Sequence, residues 1–149
     1  MELVGACETT LLRPNLVKHQ ILVRTSIAPD LPHVDASRAH ILQVCLNIVM
    51  NAIDAMPGGG TVRAALAPEL RRVPGVLMRF ADGGKGITAD DLKRIYEPFF
   101  TNGKAKGVGL GLTITRDIVE RHHGQLVIQS PPGEGAVVNV WLPIRHEGR

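Results

Sequence analysis

Two asparagines four residues apart, Asn47 and Asn51, stand in the segment NIVMNAIDAM. A helix there puts both amides on one face, one turn apart. An amide oxygen is a hard ligand for Mg²⁺ and an amide NH₂ donates to phosphate, so the pair suits one shared ligand. Ile48, Val49, Ala52 and Ile53 crowd around them, and polar groups among apolar neighbours need partners. Asp82 follows a strand-like run and precedes Gly84 and Gly86, which places a carboxylate at a sheet end where backbone can approach a ligand. Such a carboxylate accepts from the exocyclic amine of adenine but faces an acceptor on guanine, and so selects ATP over GTP. On its own, Asp-Gly-Gly is equally an ordinary turn.

Gly107, Gly109 and Gly111 lead into a helical pattern starting near Leu110. Backbone N–H groups at such a start form an anion site. The spacing is not that of a dinucleotide fingerprint. Nor is it a phosphate-binding P-loop, because Lys85 and Lys104, each after a glycine, lack the following Ser or Thr.

The elements that must hold these residues can be read from periodicity. Residues 21–28 have the β-branched content of a strand. Asp35 is then expected to cap a helix over 36–56, in which Ile41, Val44, Cys45, Ile48, Val49, Ala52 and Met56 recur at three- and four-residue spacing. Pro57 and the glycines at 58–60 end it. Residues 61–67 and 76–81 read as a hairpin across the polar stretch PELRRVPG. Thr88 and Asp91 make a capping-box-like start to a short helix ending near Tyr96. The long loop EPFFTNGKAKGVG is flexible by composition and is a candidate lid. A second long helix runs over 110–123, with Leu112, Ile114, Ile118 and Val119 as its apolar set and Gly124 as its stop. Strands over 125–129 and 136–143 close the chain around the turn PPGEG. Strands gathered beside helices, without regular βαβ alternation, predict a two-layer α/β sandwich on a mixed sheet covered on one face by helices.

At 149 residues, 44% apolar and only 3% aromatic, the chain fits one domain, 1–149, with an aliphatic core. Its net charge of +3 is scattered, with no basic run interleaved with aromatics, which argues against nucleic acid and suits a polyphosphate equally well. Cys7 and Cys45 form no metal-ligand pattern, and a reduced, cytoplasmic setting is expected. No window has the apolar length of a membrane span, and no membrane contact is expected of this segment.

Taken together, the motifs resemble the catalytic domain of sensor histidine kinases, within the superfamily of gyrase, Hsp90 and MutL ATPases. The likeness covers nearly the whole chain. Residues 47–56 look like the N box, DGGKGI (82–87) the first glycine box, YEPFF (96–100) the F box, and GVGLGL (107–112) the second glycine box. GEG (133–135) resembles the last glycine motif. The wording is nearest the nitrogen-regulation type.

The resemblance implies a Bergerat-type ATP-binding fold holding Mg-ATP between the long helix and the lid. Asn51 then binds Mg²⁺, with Asn47 assisting at the phosphates. Asp82 reads adenine, Gly84 and Gly86 admit the base, and Ile87 completes that motif. Gly107, Gly109, Leu110 and Gly111 support the phosphates. Phe99 and Phe100 anchor the lid or belong to the core, and Lys104 or Lys106 supplies the catalytic cation. The chain departs from the family in three places: Gly83 stands where Asn is common, Gly103 where Lys is frequent, and Ala136 where a hydroxyl residue is frequent.

Family members that activate water or serine resemble one another in having Glu at the place of Asn47. An amide cannot act as that base, whereas a neutral imidazole already offers a lone pair. A histidine acceptor is therefore expected, with an ATPase or serine kinase of the same fold, or a nucleotide-binding regulatory module, as alternatives. Of the six histidines, none lies in a helical His-Glu segment of the kind that precedes this domain in the family. Each is expected at the surface or at a cap, His122 and His123 at a helix C-terminus. The implied partners are a phosphoacceptor histidine domain of the same parent, a homodimer through that domain, and a cognate response regulator.

Overall fold

In the computed structural model, residues 20–94, 111–131 and 135–144 are described. Five strands form one sheet in the order β1-β2-β3-β5-β4, comprising β1 (Ile21–Ile27), β2 (Gly60–Leu70), β3 (Pro74–Asp82), β4 (Gln125–Gln129) and β5 (Ala136–Pro143). β1 runs parallel to β2 and every other pairing is antiparallel, so the sheet is mixed. The parallel pair requires a crossover, which α1 (Arg38–Ala55) supplies. α2 (Ala89–Arg94) follows β3, and α3 (Gly111–Arg121) precedes β4.

Alternation along the strands decides which face is buried. Val62, Ala64 and Leu66 of β2, Val76, Met78 and Phe80 of β3, and Val140 and Leu142 of β5 share one core cluster with helical residues. From α1 come Ile41, Val44, Cys45, Ile48, Val49 and Ala52, and from α3 come Ile118 and Val119. Each such aliphatic side chain contributes about 1.5–3 kcal/mol when fully buried, so this single layer carries most of the driving force. The predicted two-layer architecture and the apolar stripe of α1 are both present.

Several local expectations are corrected. Ser37, not Asp35, caps α1, its side chain accepting from the His40 N–H at 3.4 Å. The Asp35 N–H instead reaches across to the Ile144 carbonyl at 2.9 Å, which holds the chain extended for two more residues. The hairpin is also tighter than predicted, since the strands run on to Leu70 and from Pro74. Pro68 is tolerated in β2 for a geometric reason. Leu66, two residues earlier and on the same side, accepts from Ala28 at the last rung beside β1. The missing N–H of Pro68 therefore points past the end of that neighbour, where no ladder bond is lost.

α3 ends in a Schellman arrangement. The His123 N–H donates to the Glu120 carbonyl at 3.0 Å, and the Gly124 N–H to the Val119 carbonyl at 2.9 Å. The left-handed position falls on His123, at φ 61, and not on glycine. Gly124 is required by packing instead, because a Cβ there would stand 2.3 Å from the Trp141 carbonyl oxygen.

Candidate nucleotide site

Asn47, Asn51 and Ala55 follow one another at four-residue intervals and form a stripe along α1. Each end of that stripe is tied to a different element. At the near end, Asn47 Nδ2 donates to Thr115 Oγ1 of α3 at 3.2 Å, and Asn47 Oδ1 accepts from Gln43 Nε2 at 2.9 Å. At the far end, the Ala55 carbonyl accepts from the Lys85 N–H at 3.2 Å, in the loop that follows β3. Asn51 lies between these ties. It is half-buried, and its amide has no hydrogen-bond partner among the described residues.

The loop after β3 is fixed by small residues and one hydroxyl. Asp82 is half-buried at the strand end, and its Oδ1 accepts from the Gly84 N–H at 2.8 Å, which folds the loop back over the carboxylate. Gly84 lacks a Cβ for a packing reason, since one would stand 2.6 Å from the Ala55 carbonyl oxygen. The space at Gly83 is open, with nothing within 4 Å of a Cβ placed there. Gly86 adopts φ 76, a left-handed conformation that suits glycine. Ile87 is half-buried, and its N–H donates to Ser130 Oγ at 2.7 Å. Ser130 Oγ in turn donates to the Gly135 carbonyl at 2.6 Å. Gly135 packs so closely on β3 that a Cβ there would lie 2.2 Å from the Asp82 carbonyl oxygen. Ser130 therefore clasps the first glycine loop to the last glycine turn, beside the Asp82–Ala136 rung of the sheet.

The structure thus brings Asn47, Asn51, Asp82, Gly84, Gly86 and Ile87 to one end of the sheet and the adjoining side of α1. Gly111 opens α3 there. Phe99, Phe100, Lys104, Lys106, Gly107, Gly109 and Leu110 lie outside the described residues, as does the lid.

Sequence reasoning missed three polar residues. Ile114, assigned to the apolar face of α3, is 41% exposed, while Thr115 is 0% exposed. His122, expected at the surface or as a cap at a helix C-terminus, stands just past the end of α3 but is buried: its Nδ1 stands 2.8 Å from the Ile118 carbonyl, and its Nε2 accepts from the Ser37 N–H at 3.2 Å. Both belong to the stripe 115, 118, 119, 122, whose spacing of three, four and seven was available in the sequence. Ser130 carried no such signal.

Among the described residues, the Asn51 amide oxygen is the group without a hydrogen-bond partner on this stripe that could serve a cation. No group of three or more His, Cys, Asp or Glu among the described residues is arranged to hold a metal ion. That donor set fits Mg²⁺ bound mostly by phosphate oxygens and water, and not a protein-caged metal.

A mixed sheet under two helices, with an asparagine stripe tied at Ala55 to the loop that follows Asp82, is an arrangement in keeping with ATPase domains of the histidine kinase type. Residues 36–146 match the model of the histidine kinase-, DNA gyrase B- and HSP90-like ATPase family, and the chain belongs to that family. Among curated relatives, sporulation kinase E of Bacillus subtilis is 35% identical over 125 residues, covering 84% of this chain and 16% of that protein. The sensor histidine kinase ZraS of Escherichia coli is 37% identical, covering 84% of this chain and 26% of that protein. This chain thus spans about a sixth to a quarter of the length of those two relatives. Among solved structures, the catalytic domain of the histidine kinase ThkA superposes with a TM-score of 0.82 at 26% identity, covering 99% of this chain and 93% of that one. Full-length ShkA in complex with AMPPNP superposes with a TM-score of 0.79 at 26% identity, covering 95% of this chain and 29% of that one. No helix among the described residues is long and apolar enough to cross a membrane.

Proposed function

We propose that this chain binds Mg-ATP between α1 and the loop after β3, and donates the γ-phosphoryl group to a histidine on a separate phosphoacceptor domain in two-component signalling. The observation that carries this reading is Asn51, a half-buried amide without a hydrogen-bond partner among the described residues, standing on the stripe between Thr115 and the Asp82 loop. A half-buried amide with nothing to bond is costly unless a ligand satisfies it. Phosphate-bound Mg²⁺ is such a ligand, and Asp82 at the strand end supplies the acceptor for an adenine amine. The likeness to full-length ShkA, whose structure holds the ATP analogue AMPPNP, supports the same reading.

When bound, Mg²⁺ neutralises charge developing on the transferred phosphoryl group. Asn51 orients it and Asn47 assists at the phosphates. Neither amide can take a proton, so neither activates water, and the isolated chain hydrolyses ATP negligibly. An imidazole on the acceptor domain attacks with its own lone pair. Lys104 or Lys106 contributes positive charge opposite the γ-phosphate. The phosphorylated domain then serves a response regulator.

Radiolabelled ATP, with and without a phosphoacceptor histidine domain supplied in trans, tests the proposal. Label should reach the supplied domain as an acid-labile, base-stable phosphoramidate. An acid-stable product on serine or threonine, or rapid release of free phosphate by the chain alone, contradicts it.

A further inference from the structure

Buried hydroxyls are uncommon on the apolar face of a helix, because each costs free energy unless a polar partner accepts or donates to it. Thr115 is fully buried in α3, on the stripe it shares with Ile118 and Val119. A valine there would pack the same volume without desolvating a hydroxyl. One polar partner of this threonine is Asn47, across the interface on α1, whose Nδ2 donates to Thr115 Oγ1 at 3.2 Å. Gln43, one turn earlier on α1, holds the other atom of the same amide at 2.9 Å. That second contact is solvent-exposed and is therefore the weaker restraint.

Resting on the phosphotransfer reading of Asn47, we infer that Thr115 is a positioning residue for the reaction: its hydroxyl fixes the orientation of the Asn47 amide and locks it to α3. The bond joins positions 68 apart in the chain. α3 begins at Gly111, one turn before Thr115, so the same bond sets α1 against the start of α3, where the second glycine box ends. Asn47 and the first turn of α3 are therefore tied to one another by this part-buried hydrogen bond, beside the apolar packing of Ile118 and Val119. Without the hydroxyl, the Asn47 amide loses its tie to α3, and its terminal torsion is soft and roughly two-fold. Phosphoryl transfer is sensitive to such misplacement, since an error of about 1 Å costs up to about 100-fold in rate. Thr115 acts through Asn47 and is not placed against nucleotide.

A double-mutant cycle separates this role from a structural one. The rate of label transfer from Mg-ATP to a phosphoacceptor histidine domain supplied in trans is measured for the wild type, Thr115→Val, Thr115→Ser, Asn47→Ala and the Asn47→Ala/Thr115→Val double variant. Mg-ATP affinity and the ligand-free thermal midpoint are recorded for each. Thr115→Val should slow transfer about tenfold, with affinity changed less than about threefold, and Thr115→Ser should recover most of the rate. The double variant should be no slower than Asn47→Ala alone, because both changes remove one interaction. If Thr115→Val shows no cooperative unfolding, Thr115→Ala takes its place in the cycle. A wild-type rate in the folded variant lacking the hydroxyl, or losses that multiply in the double variant, overturns the positioning role and leaves the proposed function standing. A wild-type rate in Asn47→Ala overturns the assignment of Asn47 and this inference with it.

Discussion

The two ends of the site are built on opposite principles. Around Asp82, polar groups are satisfied within the protein: the carboxylate takes the Gly84 N–H, Ser130 bridges the Ile87 N–H and the Gly135 carbonyl, and the Ala55 carbonyl receives Lys85. One turn back along α1, Asn51 has no partner among the described residues. The first corner is a preformed shape in which backbone and carboxylate are already oriented, as adenine recognition by shape and one hydrogen bond requires. The second holds a polar group in reserve, as suits a cation that arrives with its nucleotide. On the proposed function, base selection and phosphate chemistry are separable, and substitutions should divide along that line.

The largest effect is expected at Asn51. Asn51→Ala removes the proposed Mg²⁺ ligand and should lower transfer to a supplied histidine domain by more than about 100-fold, while the fold is kept. A phosphotransfer time course together with a thermal melt checks both halves. Asp82→Ala comes next. It should weaken ATP binding by about 1–3 kcal/mol, roughly 5- to 150-fold, and leave GTP binding unchanged, as competition with a fluorescent nucleotide would register. An equal loss for both nucleotides would merge the two ends of the site into one.

Smaller effects concern how the Asp82 corner is held. Ser130→Ala leaves the Ile87 N–H and the Gly135 carbonyl without their shared hydroxyl, and should cost about 1–3 kcal/mol of stability in denaturant unfolding. The neighbouring glycines should behave in opposite ways. Gly84→Ala pushes a methyl to 2.6 Å from the Ala55 carbonyl oxygen and should destabilise by about 1–3 kcal/mol. Gly83→Ala meets open space and should stabilise by about 0.4–1 kcal/mol, through the lower entropy of the unfolded chain. Effects of the same sign at both positions, or the two signs reversed, would show that the loop packs differently against α1.

Periodicity made most of this architecture legible. The stripe of α1 from Ile41 to Met56, the strands 125–129 and 136–143, and the Thr88–Asp91 cap all stand where spacing and residue type put them, the Asp91 N–H donating to Thr88 Oγ1 at 3.1 Å. Asn47 and Asn51 were legible because amides among isoleucines and valines are unusual. What escaped was set by contacts between distant elements. Ser37 rather than Asp35 begins α1 because Ile144 holds Asp35 in an extended segment. The strands of the hairpin run through Pro68, although proline argues against a strand, because β1 ends beside it. Thr115 is not among the expected site or core residues and His122 is expected at the surface or at a cap, yet each is buried against α1, where Asn47 and Ser37 bond to them. Local propensity cannot report a partner 68 or 85 residues away.

The most direct test of a preformed base corner beside a cation-dependent asparagine is calorimetric titration of this chain with ATP, in Mg²⁺ and in chelator, for the wild type and Asn51→Ala. The wild type should bind ATP more tightly when Mg²⁺ is present, by about tenfold or more, and Asn51→Ala should bind with the same affinity in both conditions. An Asn51→Ala variant that keeps the full Mg²⁺ dependence, or a wild type that binds no ATP in either condition, would contradict the account.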